Sequence, residues 1–449
     1  MLGKSPLQNQ RNLFRPLLVE FIDPDHPLVI LSNRIPWKEL EQDFSGLYSH
    51  TGTPSKPVRL MVGLLILKQV YNLGDEPLME EWVRDPYFQY FCGEGEFQWK
   101  PPCDPGDLVH FRKRIGEEGA ARIFKLSVQM QGNDLKSNDV VVDTTAHEKN
   151  ITYPVDSKQY RKIIDKCNGI AKREGIQLRQ SYKRTVKALL LDLRFAHHPN
   201  RKRLAVRAQR KLRTLAGRIT RDLERKMSEE LRKQYREQLT LFYRVISQKK
   251  HDKNKIYSLH EPSVACIAKG KSHKPYEFGA KASVAFIPGK CIIVGVKSFQ
   301  GNPNDTQTLE PTLENVQEST GRTYRYAIVD RGYPGKNKIG DTQVIRPGAP
   351  KAKTEYRKRW MRKKCRKRAG VEPVISHLKY DHRMIRNYLK GTTGDEMNLL
   401  MAATAFNFKR LLRKIKREII FALDFCVQEL LTRIEKCTNT KFFIAKWSC

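Results

Sequence analysis

The sequence predicts an α/β fold: a mixed sheet covered by helices, interrupted by a basic helical insertion and preceded by an all-helical segment. Three observations carry this. Two β-branched apolar runs, Asp139-Val140-Val141-Val142 and Tyr326-Ala327-Ile328-Val329, each lead into an aspartate, Asp143 and Asp330. Between them FGAKASVAFI-PGK-CIIVGVKSF reads as two strands joined by a tight Pro-Gly turn. Residues from about 53 to 130 and 157 to 256 instead show helical apolar spacing.

The elements follow in chain order. Thr53-Pro54-Ser55-Lys56-Pro57 offers a hydroxyl cap and prolines for a first turn. VRLMVGLLILKQVYNL follows, apolar enough to be mostly buried, and stops at Gly74; PLMEEWVRDP is a second, shorter helix. Two helices across a Gly-containing turn fit a helix-turn-helix or an ordinary helical hairpin. NDVVVDTT is a buried strand. After the insertion and the hairpin, Asp305 is expected to cap a helix, TQTLEPTLENVQESTG, that ends at Gly321. YRYAIVD is the next strand, TQVIRP a shorter one, and EPVISHLK a later helix. Strand, hairpin, helix, strand, strand, helix is the order of a ribonuclease-H-like core. There the first strand and the strand after the helix end side by side. Asp143 and Asp330 become neighbours across 186 intervening residues. The expected domains are 1–135 (helical), 136–412 (catalytic, with the insertion at about 157–256) and 413–449 (a helical tail).

Composition narrows the partner. The chain has 84 Lys+Arg against 48 Asp+Glu, a net charge of +36. An excess of that size favours polyanions, because each neutralised phosphate releases counterions. Lys158–Lys255 holds 30 Lys+Arg and 9 Asp+Glu. Its apolar residues recur from 212 to 246 in steps of three or four, a packed helical pair broken near Ser228. The one-sided charge beside that stripe is assigned to DNA backbone contact. A second run, KAKTEYRKRWMRKKCRKR (351–368), carries eleven Lys+Arg against one Glu. It is a flexible charged loop or a substrate-holding segment, with Trp360 and Tyr356 available for stacking on bases. The nine cysteines include no CxxC pair and no zinc-type Cys/His cluster, which fits a reduced, cytoplasmic protein; with DNA as its partner it is expected to be nucleoid-associated. The N-terminal MLGKSPLQNQRNLF lacks the apolar core of a signal peptide, and the longest apolar run, Leu60–Leu67, is too short to span a bilayer. No membrane partner is expected.

The chemistry rests on Asp143, Asp330 and Glu372, the last opening EPVISHLK. Two carboxylates at strand ends and one on a helix form an oxygen-only set suited to a pair of Mg²⁺ ions, with Mn²⁺ able to substitute. Such a pair activates water or a sugar hydroxyl against a phosphodiester. Lys379 lies two turns below Glu372 on one helix face, ~10 Å away. His147 and the His197-His198 pair are read as structural, and Lys269-Gly270-Lys271 lacks the remainder of a P-loop.

These words together resemble the DDE transposases of bacterial insertion sequences, in the subgroup with a Tyr-Arg-Glu-Lys signature on the third-carboxylate helix. The resemblance is carried by DTTAHEKNITYP (143–154), KGKSHKPYEFGAK (269–281) and DRGY (330–333). It continues through Arg368, Glu372 and Lys379 at signature spacing, EPVISHLKYDHRMIRNYLKG (372–391) and NLLMAATAFNFKRLL (398–412). It implies Asp143, Asp330 and Glu372 as catalytic and metal-binding, and Arg368, Lys379, Arg331 and Tyr333 as DNA contacts. It also implies terminal inverted repeats and target DNA as partners, with at least a homodimer on that DNA. One departure stands out: the signature tyrosine falls on Cys365, and Tyr356 or Tyr333 is left to substitute. The rival readings are a transposase-derived nuclease, which cuts without joining, and a non-catalytic DNA-binding protein.

Overall fold

The computed structural model describes residues 15–48, 51–52, 54–249, 252–269, 274–348 and 354–445, with side chains of the last helix described to 432. The chain opens on helices α1 (Leu18–Phe21), α2 (Pro27–Arg34), α3 (Trp37–Ser45), α4 (Val58–Val70), α5 (Asp75–Arg84), α6 (Pro86–Phe91) and α7 (Pro105–Gln129). Apart from Arg59, every residue of α4 is buried, as befits a helix apolar all round. The hydroxyl cap expected at Thr53 lies outside the described residues; the N-cap position is Pro57, which makes no side-chain cap.

Most of the 1–135 helices share the core of the sheet, while Leu18, Ile22 and Val29 form a small cluster of their own with Tyr87, Tyr90 and Phe97. Leu64 of α4, Phe124 of α7, Val141 and Ile293 of the sheet, and Phe408 near the chain end belong to one hydrophobic cluster. On α5, Glu76, Glu80 and Arg84 are exposed.

Strand β1 (Asp139–Glu148) is followed by α8 (Asp156–Arg173), α9 (Lys183–Asp192), α10 (Lys202–Lys226) and α11 (Glu229–Ser247). The break expected near Ser228 is there, and Ser228 caps α11 by accepting from the Leu231 N–H. Then come β2 (Ala265–Ala268), the hairpin β3 (Tyr276–Ile287) and β4 (Ile292–Phe299), and α12 (Asp305–Thr320). The cap of α12 is Asn304, not the expected Asp305; its side chain accepts from the Thr306 N–H, which frees Asp305 for a different role. Helix α12 ends on Gly321 in the left-handed conformation (φ 66°).

The strands β5 (Tyr326–Ile328), β6 (Lys338–Ile339) and β7 (Thr342–Ile345) precede α13 (Glu355–Arg366), α14 (Val371–Asp381) and α15 (Gly391–Ala445). Helix α15 passes position 412 without a break. The basic run is therefore helix from 355 onward, not a loop; its residues 351–353 lie outside the described ones.

The seven strands form one mixed sheet in the order β2-β3-β1-β5-β7-β6, with β4 along β3 on the edge away from β1. β1 and β5 are parallel neighbours, Val141 opposite Ile328, while β1 and β3 are antiparallel. Gly279 permits that second pairing: a Cβ there would fall 1.9 Å from the His147 carbonyl oxygen.

Candidate active site

Because Val141 pairs with Ile328, Asp143 and Asp330 stand two residues further along adjacent parallel strands. Each carboxylate is fixed by a local N–H: Thr144 donates to Asp143 Oδ1 at 2.8 Å and Gly332 to Asp330 Oδ1 at 2.7 Å. A Cβ at Gly332 would meet Asp330 Oδ1 at 3.0 Å and Asp305 Oδ2 at 3.1 Å, so either carboxylate would have to give way by a few tenths of an ångström.

Arg368 bridges the two acids, with Nη2 3.0 Å from Asp143 Oδ2 and 3.6 Å from Asp330 Oδ2. Burial raises the Asp143 carboxyl above its ordinary value; Arg368 opposes that shift and Asp330 adds to it. Glu372 lies in the first turn of α14, one turn beyond Arg368. Glu372 and Lys379 share the wall of an open cavity of about 1500 Å³ with Asp143 and Arg368. Basic side chains dominate the remaining charge on that wall, among them Lys274, Arg346, Lys358, Arg362 and Arg366. Among the described residues, no three His, Cys, Asp or Glu side chains stand close enough to enclose a metal.

Helix α13 is held over the sheet from below. Lys364 and Lys367 pair with the buried Asp139 at the start of β1, and Trp360 packs edge-on against Tyr326, 5.3 Å between ring centres. Trp360 is thus engaged within the fold, whereas Tyr356 is 80% exposed.

The other expected contacts separate. Arg331 is exposed, its guanidinium beside Gly348, which lines the cavity. Tyr333, expected at the DNA surface, is 1% exposed and belongs to the core, so its ring is out of reach of DNA. Burial and the negative charge of Asp143, Asp305 and Asp330 push its phenol well above the ordinary value. His147 is buried and neutral, its pKa lowered to about 3 by burial and nearby lysines, with Asn398 at 2.9 Å.

Sequence reasoning missed Asp305 as a neighbour of the site. Its Oδ1 accepts from the Thr144 hydroxyl at 2.7 Å and pairs with Lys281 at 2.8 Å. Read along the chain, an Asp before a helical segment signals only a cap.

Residues 258–408 match the family described as Transposase DDE domain, and residues 17–114 match Transposase domain (DUF772). The chain belongs to the DDE transposases of insertion-sequence type. Asp330 and Glu372 of this transposase fall inside the matched DDE stretch, while Asp143 falls outside both. A Rhizobium meliloti protein, "Uncharacterized protein ORF8 in nfe locus", is 40% identical over 203 residues, 44% of this transposase and 98% of that relative. No solved structure matches the chain. No described helix of the transposase is long and apolar enough to cross a membrane.

Proposed function

We propose that this transposase binds the terminal inverted repeats of its element, cleaves DNA at their ends and transfers the freed strands into target DNA. Asp143, Asp330 and Glu372 are the catalytic carboxylates. The observation that carries the reading is the pairing of Asp143 and Asp330 around one cation, Arg368, at the mouth of a basic cavity that Glu372 also lines. The strand order, with β1 between an antiparallel hairpin strand and the parallel β5, supports a ribonuclease-H-like catalytic unit over 136–412. The helical insertion at about 157–256 interrupts that unit, helices 1–135 precede it and a tail follows at 413–449.

The donor chemistry suits divalent metal, although among the described residues the three carboxylates are not gathered around one point. All three candidates are carboxylates, the hard oxygen ligands that Mg²⁺ or Mn²⁺ takes, and two of them already share a positive group. Asp143, Asp330 and Glu372 would hold the two ions of such a site. When bound, the ions supply acidification of the attacking water and neutralisation of the leaving oxygen. The protein's own residues do the rest. Lys379 and the α13 cations hold the scissile strand's backbone at the cavity wall. Arg368, released from the carboxylates, is placed to take a phosphate oxygen.

Both ends must be cut and joined together, so the DNA complex contains at least two chains. Ile420, Leu423, Val427, Leu430 and Leu431 support this: they are about half exposed or more and share one face of α15, an apolar surface fit for a second copy. Light scattering on a complex with end DNA reads the stoichiometry; one chain per pair of ends contradicts it.

The test of the reaction places both flanks of the gene around a marker on a plasmid and scores excision and insertion with wild type and with Asp330→Ala. Movement by wild type alone supports the reading. Cutting without joining favours a transposase-derived nuclease, and tight end binding without any cutting favours a DNA-binding remnant.

A further inference from the structure

Helices α8 to α11 carry a hydrophobic core separate from that of the sheet, centred on Ile163, Leu212, Leu223 and Phe242. Within it α10 buries Ala205, Ala208, Leu212, Leu215, Ile219 and Leu223 on one face. At about 100° per residue, the opposite face is a sector roughly 80° wide. It contains Arg203, Arg207, Arg210, Arg218, Arg221 and Arg225, and its remaining position is Thr214. All six arginines are exposed, and among the described residues none of them forms an ion pair.

Cations with a structural task lie off this sector. Arg213 donates to the carbonyls of Ile246 and Ser247, and Lys226 pairs with Asp222. Like charges three and four residues apart repel, so the row destabilises its own helix unless a polyanion covers it. The row runs ~33 Å, close to one turn of B-DNA at ~34 Å. Guanidinium binds phosphate through two parallel N–H bonds, which lysine does not offer. The sector has no apolar side chain to serve as the dry centre of a protein interface.

We propose that the arginine face of α10 binds the sugar–phosphate backbone of double-stranded DNA, independently of base sequence and outside the catalytic cavity. The proposal rests on the DNA substrate of the proposed function but not on the three carboxylates.

The test uses the full chain and a fluorescent duplex of arbitrary sequence, with anisotropy titrations across a range of NaCl concentrations. Arg207→Gln/Arg210→Gln/Arg218→Gln lowers the slope of log affinity against log salt by about 2.7, three phosphate contacts at ~0.9 each. Circular dichroism confirms that the triple variant stays folded, and lysines at the same positions restore most of the slope. Lys166→Gln/Lys172→Gln/Arg173→Gln on α8 serves as a control of equal charge and leaves the slope near wild type. An unchanged slope in the α10 variant, an equal drop in the α8 control, or equally tight binding of an acidic polypeptide overturns the proposal. Glu372→Gln separates the two readings: it abolishes cleavage if the catalytic assignment holds and leaves the salt slope intact either way.

Discussion

Arg368 donates to Asp143 across 3.0 Å while standing 3.6 Å from Asp330, so one guanidinium neutralises both aspartates that the proposed chemistry needs. At Asp143 burial raises the carboxyl above its ordinary value and Arg368 opposes that rise. A divalent cation approaching the pair therefore competes with a group the protein itself supplies. Arg368→Gln is expected to bind Mn²⁺ about tenfold more tightly without DNA, ~1.4 kcal/mol, while strand cleavage falls for want of a phosphate contact. Titration of free Mn²⁺ by electron paramagnetic resonance reads the first effect. Unchanged or weaker affinity would show that Arg368 and metal do not compete.

Cys365 falls where the signature of the resemblance would place a tyrosine, and it lines the cavity three residues before Arg368. Burial raises its thiol, with Arg368 opposing, so it stays a neutral and weak donor. Cys365→Tyr places a phenol on the cavity wall. One hydrogen bond to a phosphate is worth ~1.5 kcal/mol, so end joining is expected to rise about tenfold. Cys365→Phe separates hydroxyl from bulk: a comparable gain with phenylalanine would remove the hydrogen bond from the explanation.

How far the sequence could be read depended on whether the information was local. The β-branched runs before Asp143 and Asp330, the 288–291 turn, Ser228 as a cap and Gly321 as a helix end are set by neighbours in the chain, and the structure has each. Asp305 is different. Its partner Thr144 is 161 residues away, and only the packing of α12 against the hairpin brings them together. Tyr333 shows the same limit, since the resemblance implied a DNA contact yet its ring is buried in the core. The basic run at 355–366 was ambiguous because charge says nothing of what anchors a segment. Asp139, far away in the chain, supplies that anchor.

Lys149 ties the end of β1 to the start of α15. Its side chain is 2% exposed, pairs with Asp395 at 2.7 Å and Glu261 at 3.6 Å, and donates to the Gly391 carbonyl at 2.8 Å. Removing one partner of a buried pair leaves uncompensated charge, here two carboxylates. Lys149→Ala is expected to lower the unfolding free energy by about 3–5 kcal/mol. Urea unfolding at neutral pH measures it; a loss under ~1 kcal/mol would mean that water reaches Asp395 and Glu261.

Glu396, one residue further along α15, gives the fold a pH dependence of known sign. Its carboxyl accepts from the Ser298 N–H at 2.6 Å, yet burial dominates and raises its pKa from 4.5 to about 7. The folded state therefore holds this proton more tightly than the unfolded chain does. Below pH 4.5 both states are protonated and the group is neutral in its effect. As pH rises from 4.5 to 7 the unfolded chain ionises first, so folding loses free energy, and the loss is complete above pH 7. A shift of this size corresponds to about 3 kcal/mol. Glu396→Gln keeps an oxygen for Ser298 and has no proton to lose. The variant is expected to match wild type near pH 4.5 and to be more stable at pH 8 by up to about 3 kcal/mol. Urea unfolding of both proteins at the two pH values decides the matter: an equal gap at both would trace the difference to packing instead of ionisation.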